Sequence, residues 1–361
     1  MLRCSACDLV MPGEAEGKPP ACPRCGKPLT AKPPDPLCGR SIAGCKLVRR
    51  IGVGAMAVVY EAERQEDHQR VAVKLLTAES AKDEENGRRF QREAGLCQSL
   101  KHPNVVTVHR FGVENGIHFM VMELIDGSSM EAVIDKQGRL PWRQVADLIL
   151  QIAQALDHLT KAGVIHRDVK PANILLTKGG VAKLVDLGFA KKLSDGDSDR
   201  MAHQGELTMQ GVSMGSPSYM PPEQVLDAKL ADNRADIYSL GATFHHALTG
   251  RTPFNGKTAY EIMDKVLRDK PEDPRTLVKD LPPAICHLIA WTMEKDAARR
   301  PVDAAEFVRE LEIAVFAPDD GTRIPRLRRQ RRKLWLAPLV VGGTALVVIG
   351  LIAVLMMALK R

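Results

Sequence analysis

The sequence predicts an α+β fold in which a β-rich region is followed by a larger helical region. Leu47 to Lys74 alternates apolar and polar side chains, which is typical of a twisted antiparallel sheet. Pro141 to Ala162 carries apolar residues at helical spacing, which gives a helix with one buried face. Leu334 to Leu359 is a run of 26 residues without a charge. A run of that length predicts one membrane-spanning helix in addition to the α+β part.

Length and charge limit the function classes. The 361 residues allow two or three domains. The net charge of +7 is matched by seven basic residues and no acidic ones between Arg323 and Lys333. The rest of the chain is therefore close to neutral, and no nucleic-acid partner is expected. Met1 to Val10 lacks the sustained apolar core of a signal peptide.

Cysteine spacing indicates a metal site at the N-terminus. Two Cys-x-x-Cys pairs, Cys4 with Cys7 and Cys22 with Cys25, lie in a segment too short for its own core. Each pair can present two sulfurs to one tetrahedral Zn²⁺. Residues 1–30 resemble the short zinc ribbons of many bacterial proteins, and structural zinc is expected in a reducing compartment. Two disulfides or free thiols remain the alternatives, and the binding partner of the ribbon is not readable.

A proline-rich linker is expected over residues 31–44, and the main domain is expected to begin at Cys45. The predicted sheet contains Ile51-Gly52-Val53-Gly54, and Val71-Ala72-Val73-Lys74 follows it. The first motif alone could be a plain hairpin turn. With the lysine-bearing strand at this distance, the segment resembles a glycine-rich loop whose backbone approaches phosphates. A helix over Arg88 to Leu100 carries Glu93.

The most informative stretch runs from Val164 to Leu176. Apolar residues flank a polar cluster there, which predicts a loop held between short buried β segments. The members of the cluster are His166, Arg167, Asp168, Lys170 and Asn173. Asp186 follows a short strand further on, in Asp186-Leu187-Gly188.

These segments resemble the motifs of bacterial eukaryotic-like (Hanks-type) serine/threonine protein kinases over roughly residues 45–316. The Val164–Leu176 stretch matches every fixed position of the family's His-Arg-Asp-x-Lys-Pro-x-x-Asn loop. The chain departs from the family pattern at Ala57, Leu187 and Pro221. The resemblance implies a two-lobed kinase fold and ATP-dependent transfer of a phosphoryl group to serine or threonine of protein substrates.

The resemblance also assigns roles to single residues. Asp168 would accept the proton of the substrate hydroxyl, and Lys170 would stabilise the transferring phosphoryl group. Lys74 would bind the ATP phosphates and pair with Glu93. Asn173 and Asp186 would hold Mg²⁺ or Mn²⁺. The remaining nucleotide contacts fall on Ile51, Gly52, Gly54, Val59, Ala72, on Met122 as gatekeeper, and on the backbone of Glu123 and Leu124.

Regulation and scaffold contacts are implied in the same way. Lys191 to Gly215 occupies the position of the activation loop, where Thr208 and Ser213 are the candidate phosphorylation sites and Arg167 the candidate phosphate ligand. An unmodified mobile loop is the alternative. Glu223 would pair with Arg300, and Asp236 would brace the catalytic loop.

The C-terminus predicts a membrane anchor. Residues 317–333 form a basic juxtamembrane segment, and residues 334–359 form the transmembrane helix. The excess of basic residues before the helix places the kinase domain in the cytoplasm of a single-pass cell-membrane protein. The bilayer is then a partner, and association within it would produce a homodimer that phosphorylates itself in trans. The rival functions are a pseudokinase scaffold and a binding protein whose main part is the zinc ribbon.

Overall fold

The computed structural model describes residues 2–4, 10–11, 20–23, 25–27, 29–31, 35–186, 191–192, 216–227 and 230–316. The strands are β1 (Leu2–Cys4), β2 (Val10–Met11), β3 (Leu29–Ala31), β4 (Ser41–Ile42), β5 (Cys45–Val53), β6 (Ala57–Arg64), β7 (Arg70–Leu76), β8 (Val108–Glu114), β9 (Ile117–Glu123), β10 (Gly127–Ser129), β11 (Val164–Ile165), β12 (Ile174–Thr177), β13 (Ala182–Leu184) and β14 (Lys191–Lys192). The α-helices are α1 (Glu84–Ser99), α2 (Met130–Gln137), α3 (Trp142–Lys161), α4 (Pro222–Leu226), α5 (Asn233–Thr249), α6 (Ala259–Arg268), α7 (Pro274–Leu277), α8 (Pro283–Thr292) and α9 (Ala304–Phe316).

The N-terminal lobe is built on an antiparallel sheet of six strands in the order β4-β5-β6-β7-β9-β8. Its register pairs Val59 with Lys74 and Ala72 with Met122. Because side chains alternate between the two faces of a strand, these four residues share one face of the sheet. The residues expected to surround a nucleotide are therefore neighbours in the sheet.

Helix α1 begins one turn before the predicted Arg88. Asp83 caps it by accepting a hydrogen bond from the amide of Glu85 at 2.9 Å. A capping carboxylate also complements the positive end of the helix dipole, so the helix extends back to this residue. Phe90, Ala94 and Cys97 face the main hydrophobic core.

A second, smaller core covers the opposite face of the sheet, and residues 35–44 help to close it. Leu37 and Cys38 pack against this core, Ile42 belongs to it, and Asp35 accepts a hydrogen bond from the Tyr60 hydroxyl at 3.0 Å. This differs from the semi-extended linker expected over residues 31–44. The apolar side chains that follow the prolines pack on the sheet, so the last ten residues of that segment belong to the lobe.

The C-terminal lobe is helical. The predicted helix over Pro141–Ala162 is confirmed as α3, with nine buried residues on one face. Helix α5 is buried on nearly all sides and lies against α3 and α8. Where α5 meets α8, a Cβ added to Gly241 would lie 2.1 Å from Thr292 Oγ1. Only glycine permits this approach between the two helices.

At the N-terminus, β1, β2 and β3 form a three-stranded sheet in the order β2-β1-β3. Cys22 is buried and Cys25 is exposed, and the predicted ligand Cys7 lies outside the described residues. In the ranges given above, no group of three or more metal-ligating side chains is found. The four-cysteine zinc site therefore stays a prediction.

None of the helices that the structure describes combines the length and apolar character needed to cross a bilayer. The predicted basic segment and transmembrane helix, residues 317–359, lie outside the described residues.

Candidate active site

The polar loop that follows β11 is held in place by one buried carboxylate. Asp236, at the start of α5, accepts hydrogen bonds from the amides of His166 at 2.8 Å and Arg167 at 2.7 Å. Burial raises the pKa of Asp236, whereas His166 and the two amides oppose this increase. Arg167 has a φ of 68°, a left-handed conformation that a non-glycine residue adopts at a cost. The brace expected from Asp236 is present, and it holds this strained turn.

Asp168 lies at the centre of a compact polar group. Its Oδ2 accepts hydrogen bonds from Lys170 Nζ and from Asn173 Nδ2, both at 2.8 Å. Asn173 Nδ2 also bonds the main-chain oxygen of Asp168 at 2.9 Å. Among the described residues, both side-chain donors bond the same carboxylate oxygen. Oδ1 is therefore the oxygen that can accept a hydrogen bond from a hydroxyl group.

Lys74 joins the two lobes electrostatically. Its Nζ lies 2.9 Å from Glu93 Oε1 on α1 and 2.5 Å from Asp186 Oδ1, which follows β13 in the other lobe. The expected Lys74–Glu93 ion pair is thus present. Burial alone would lower the pKa of Lys74, but the carboxylates of Asp186 and Glu93 outweigh it and raise that pKa. The lysine is fully charged at neutral pH.

The two carboxylates beside Lys74 differ in their environment. Burial raises the pKa of Glu93, despite the nearby ammonium group. The side chain of Asp186 is half exposed, and Lys74 holds its pKa below the usual value against the opposing effect of desolvation. Asp186 also has a φ of 69°, the second left-handed residue of the site.

Asn173 and Asp186 form a donor set that fits a hard divalent cation. The amide of Val185 donates to Asn173 O at 3.0 Å, which ties the two loops together. Asn173 Nδ2 is bonded to Asp168, so its Oδ1 is the atom that can face a cation. Mg²⁺ is commonly bound by one or two protein oxygens together with water and substrate phosphates. An amide oxygen and a carboxylate satisfy that requirement.

The structure limits which groups of Glu123 can contact adenine. The amide of Glu123 donates to Thr107 O at 2.9 Å. Its carboxylate accepts hydrogen bonds from the amide of Thr107 at 2.8 Å and from Lys183 Nζ at 2.7 Å. Glu123 can therefore offer a ligand only its carbonyl group, while Leu124 remains as predicted. Sequence patterns did not indicate Thr107 or Lys183, because these residues lie 16 and 60 positions from Glu123 in the chain.

The glycine-rich segment closes a tight turn. The amide of Gly54 donates to Ala57 O at 2.8 Å, between β5 and β6. Ala57 takes the place of a glycine in the family pattern, and its methyl group is buried in the main core. Ile51, Val53 and Met56 are exposed large apolar side chains around this turn.

A polar pair that sequence reasoning missed anchors the Ser216–Tyr219 segment to α5. The Tyr219 hydroxyl lies 2.7 Å from His246 Nδ1 on α5, in a buried environment. Burial and the neighbouring His245 lower the pKa of His246 to about 4, against the opposing effect of Asp135. A pair of histidines inside an otherwise apolar helix was the available signal.

His246 predicts a loss of stability in acid. Its pKa is 6.5 in the unfolded chain and about 4 in the fold, so between these values the unfolded chain takes up a proton that the folded protein does not. This contribution is complete above pH 6.5 and falls by roughly 3 kcal/mol as the pH decreases to 4. Urea unfolding at pH 7 and pH 5 checks this, with His246→Gln as the non-titrating control. An equal pH dependence in both proteins would contradict the prediction.

Glu223 and Arg300 form the expected ion pair in bidentate geometry. Arg300 Nη1 and Nη2 donate to the two carboxylate oxygens at 2.7 and 2.8 Å. The guanidinium also donates to three main-chain oxygens, those of Glu294, Arg234 and Lys295. The pair attaches α4 to the rest of the helical lobe.

Some predicted residues cannot be placed. Thr208, Ser213 and Leu187 lie outside the described residues. Arg167 is described and its side chain is buried. The roles assigned to individual site residues stay predictions. In the structure, Lys74 contacts Glu93 and Asp186, and Asp168 contacts Lys170 and Asn173. The hydrogen bond from Val185 to Asn173 links the two groups.

Comparison with known proteins agrees with this geometry. Residues 45–310 match the model of the protein kinase domain family. A probable serine/threonine-protein kinase of Clostridium perfringens is 37% identical over 267 residues, which are 74% of this chain and 38% of that protein. The serine/threonine-protein kinases PknH and PknA of Mycobacterium tuberculosis are 35% and 36% identical, each over 81% of this chain.

The alignments cover 45% of PknH and 65% of PknA. The chain thus spans less than two thirds of the length of these relatives, and the similarity concerns their shared domain. The family match covers well over half of the chain. The chain belongs to the protein kinase family.

Proposed function

We propose that this chain is a serine/threonine protein kinase that transfers the γ-phosphoryl group of ATP to protein substrates. One observation carries the proposal. Lys74 of the N-terminal lobe reaches both Glu93 and Asp186, while Asp168 is held by Lys170 and Asn173. The relatives named as serine/threonine-protein kinases support the substrate class.

The side chains divide the work of phosphoryl transfer, in which positioning and charge neutralisation dominate. Asp168 Oδ1 accepts a hydrogen bond from the substrate hydroxyl and orients its oxygen towards the phosphoryl group. Lys170 neutralises charge beside Asp168. Lys74, which Glu93 holds in place, binds the phosphates of ATP. Asn173 and Asp186 hold Mg²⁺, which supplies neutralisation of the phosphate charge when bound.

The test is phosphoryl transfer by the purified chain. Incubation with ATP labelled at the γ-phosphate and a generic basic protein should label serine or threonine, as phosphoamino-acid analysis would show. Lys74→Met should remove the label. A chain that binds the nucleotide without labelling itself or the substrate would be the pseudokinase scaffold, and label on tyrosine would contradict the substrate class.

The proposal includes a structural zinc ion at the N-terminus, bound through Cys4, Cys7, Cys22 and Cys25. A tight turn supports it: Gly26 donates its amide to Cys22 O at 2.8 Å and has a φ of 72°. Such turns present the sulfurs of a Cys-x-x-Cys pair to a metal. Metal analysis of the reduced protein should find one zinc per chain, and a Cys22→Ser, Cys25→Ser variant should lose it. Absence of stoichiometric zinc would contradict this part.

The proposal also places the kinase domain on the cytoplasmic face of the cell membrane, anchored through residues 334–359. The charge-free run and the preceding basic segment support it. A chain ending at Pro318 should leave the membrane fraction and phosphorylate itself more slowly at low concentration, because association in the membrane favours reaction in trans. Membrane retention of the shortened chain would contradict it.

Regulation by phosphorylation completes the proposal. Phosphate on Thr208 or Ser213 would pair with Arg167 and order the loop that carries it. Mass spectrometry of the active protein should find the modification, and Thr208→Ala with Ser213→Ala should lower activity. Full activity of that double variant would contradict this role.

A further inference from the structure

Helix α1 touches the sheet through a glycine that faces an imidazole ring. Gly87 is buried in the first half of the helix, opposite His118 on β9. A Cβ at position 87 would lie 2.7 Å from Cε1 and 2.9 Å from Nε2 of His118. Two unbonded heavy atoms of this kind pack at roughly 3.5–4.0 Å, so an alanine would displace either the ring or the helix.

The ring of His118 has a second contact with the same helix. Phe90, one turn further along α1, packs edge-on against His118, with ring centroids 6.4 Å apart and planes at 78°. Phe90 is itself buried in the main core. The imidazole thus contacts α1 at two neighbouring points, Gly87 and Phe90, so a methyl group at position 87 would shift the helix and the ring relative to each other.

The same face of α1 carries the catalytic ion pair. Gly87, Phe90 and Glu93 are spaced by three residues, and residues at this spacing lie next to each other on a helix. Lys74 Nζ lies 5.9 Å from the centroid of the Phe90 ring and 2.9 Å from Glu93 Oε1. A continuous row of contacts therefore runs from His118 along the helix to Lys74.

We propose that Gly87 and His118 are positioning residues that set the distance between α1 and the sheet, and through it the Lys74–Glu93 ion pair. An α-helix of 16 residues moves largely as one body, so a displacement of the helix at Gly87 also displaces Glu93. A hydrogen bond weakens beyond about 3.2 Å, so a small outward shift of the helix breaks the pair. The inference rests on the proposed function, because Lys74 acts there on ATP.

The glycine at position 87 is unfavourable for the helix itself, so the contact with His118 is the feature that explains it. Glycine inside a helix is less favourable than alanine. A second glycine of the same helix, Gly95, shows the contrast. A Cβ there would lie 3.6 Å from Phe111 Cζ, which is an ordinary contact. Gly95→Ala therefore changes helix propensity in the same way as Gly87→Ala but adds no clash.

The experiment compares four variants of the full chain: Gly87→Ala, Gly95→Ala, His118→Ala and the double variant Gly87→Ala, His118→Ala. Gly87→Ala should lower kcat/KM for ATP roughly 10–100-fold, the effect of a misplacement of about 1 Å. Its melting temperature should not fall, since alanine favours the helix. His118→Ala should weaken binding of Mg·ATP several-fold, because the helix loses its contact on this side. Gly95→Ala should match the wild type.

The double variant tests whether the clash with His118 causes the loss of activity in Gly87→Ala. Removal of the ring makes room for the new methyl group, so the double variant should recover to the level of His118→Ala alone. The proposal fails if the double variant is no better than Gly87→Ala, or if Gly87→Ala behaves like Gly95→Ala. If Gly87→Ala cannot be purified, wild-type nucleotide affinity in His118→Ala is enough to overturn it.

Equilibrium binding of Mg·ATP separates this inference from the proposed function. A wild-type chain that binds Mg·ATP but transfers no phosphate would contradict the kinase activity. The order of nucleotide affinities among the four variants would still support or overturn the positioning role. Lys74→Met serves as the reference for complete loss of the ion pair.

Discussion

Replacement of Asp168 by asparagine should lower phosphoryl transfer roughly 10²–10⁴-fold, the usual contribution of a positioned general base. Asparagine has nearly the same shape and can still accept hydrogen bonds from Lys170 and Asn173, which lie 2.8 Å from the carboxylate. It loses the negative charge that attracts the hydroxyl proton. Single-turnover transfer from labelled ATP at pH 7 measures the effect.

The control is an aspartate with a comparable ion pair elsewhere. Asp157 on α3 pairs with Lys161 at 2.6 Å, and Asp157→Asn should leave transfer unchanged. Both variants should keep the wild-type melting temperature and affinity for Mg·ATP, since Asp168 acts on the substrate hydroxyl. Near wild-type transfer by Asp168→Asn would show that the residue is not the proton acceptor.

The second large effect is expected for Glu223→Ala, which should destabilise the fold by about 3–5 kcal/mol. The side chain of Arg300 is 0% exposed and that of Glu223 is 15% exposed. Removal of the carboxylate leaves a buried guanidinium whose remaining hydrogen bonds, among the described residues, go to main-chain oxygens. Urea unfolding at pH 7 measures the change in the free energy of unfolding.

An exposed ion pair with the same separation is the matched control. Arg268 and Asp264 of α6 lie 2.7 Å apart, with side chains 77% and 56% exposed. Asp264→Ala should change stability by less than about 0.5 kcal/mol. Arg300→Met combined with Glu223→Leu should recover much of the loss, because an apolar pair leaves no buried charge. Equal effects of Glu223→Ala and Asp264→Ala would contradict the argument.

The polar residues of the site were predictable because each lies in a short segment with its own pattern. Lys74 follows the apolar run Val71-Ala72-Val73, and Asp168 and Asn173 lie in one loop between apolar runs. A local pattern of this kind survives in the sequence whatever the rest of the chain does. The Lys74–Glu93 and Glu223–Arg300 pairs were expected only through the family resemblance, since nothing local links residues 19 or 77 positions apart.

The contacts that were missed all join distant segments. Asp35 bonds Tyr60, Tyr219 bonds His246, and Glu123 bonds both Thr107 and Lys183. Each partner alone resembles an ordinary solvated or buried side chain. The prolines before residue 37 favoured a linker, whereas burial of a few apolar side chains on the sheet decided otherwise.

The amino-acid sequence by itself determined the α+β class, the family motifs and the chemistry that the site residues offer, because these depend on residue type and short-range periodicity. The zinc site and the membrane anchor remain predictions from sequence. The tertiary structure alone decided which atoms remain available: the occupied amide of Glu123, the shared oxygen of Asp168, and the close approach of Gly87 to His118. These depend on distances of a few tenths of an ångström between packed elements, and no local pattern in the chain encodes such distances.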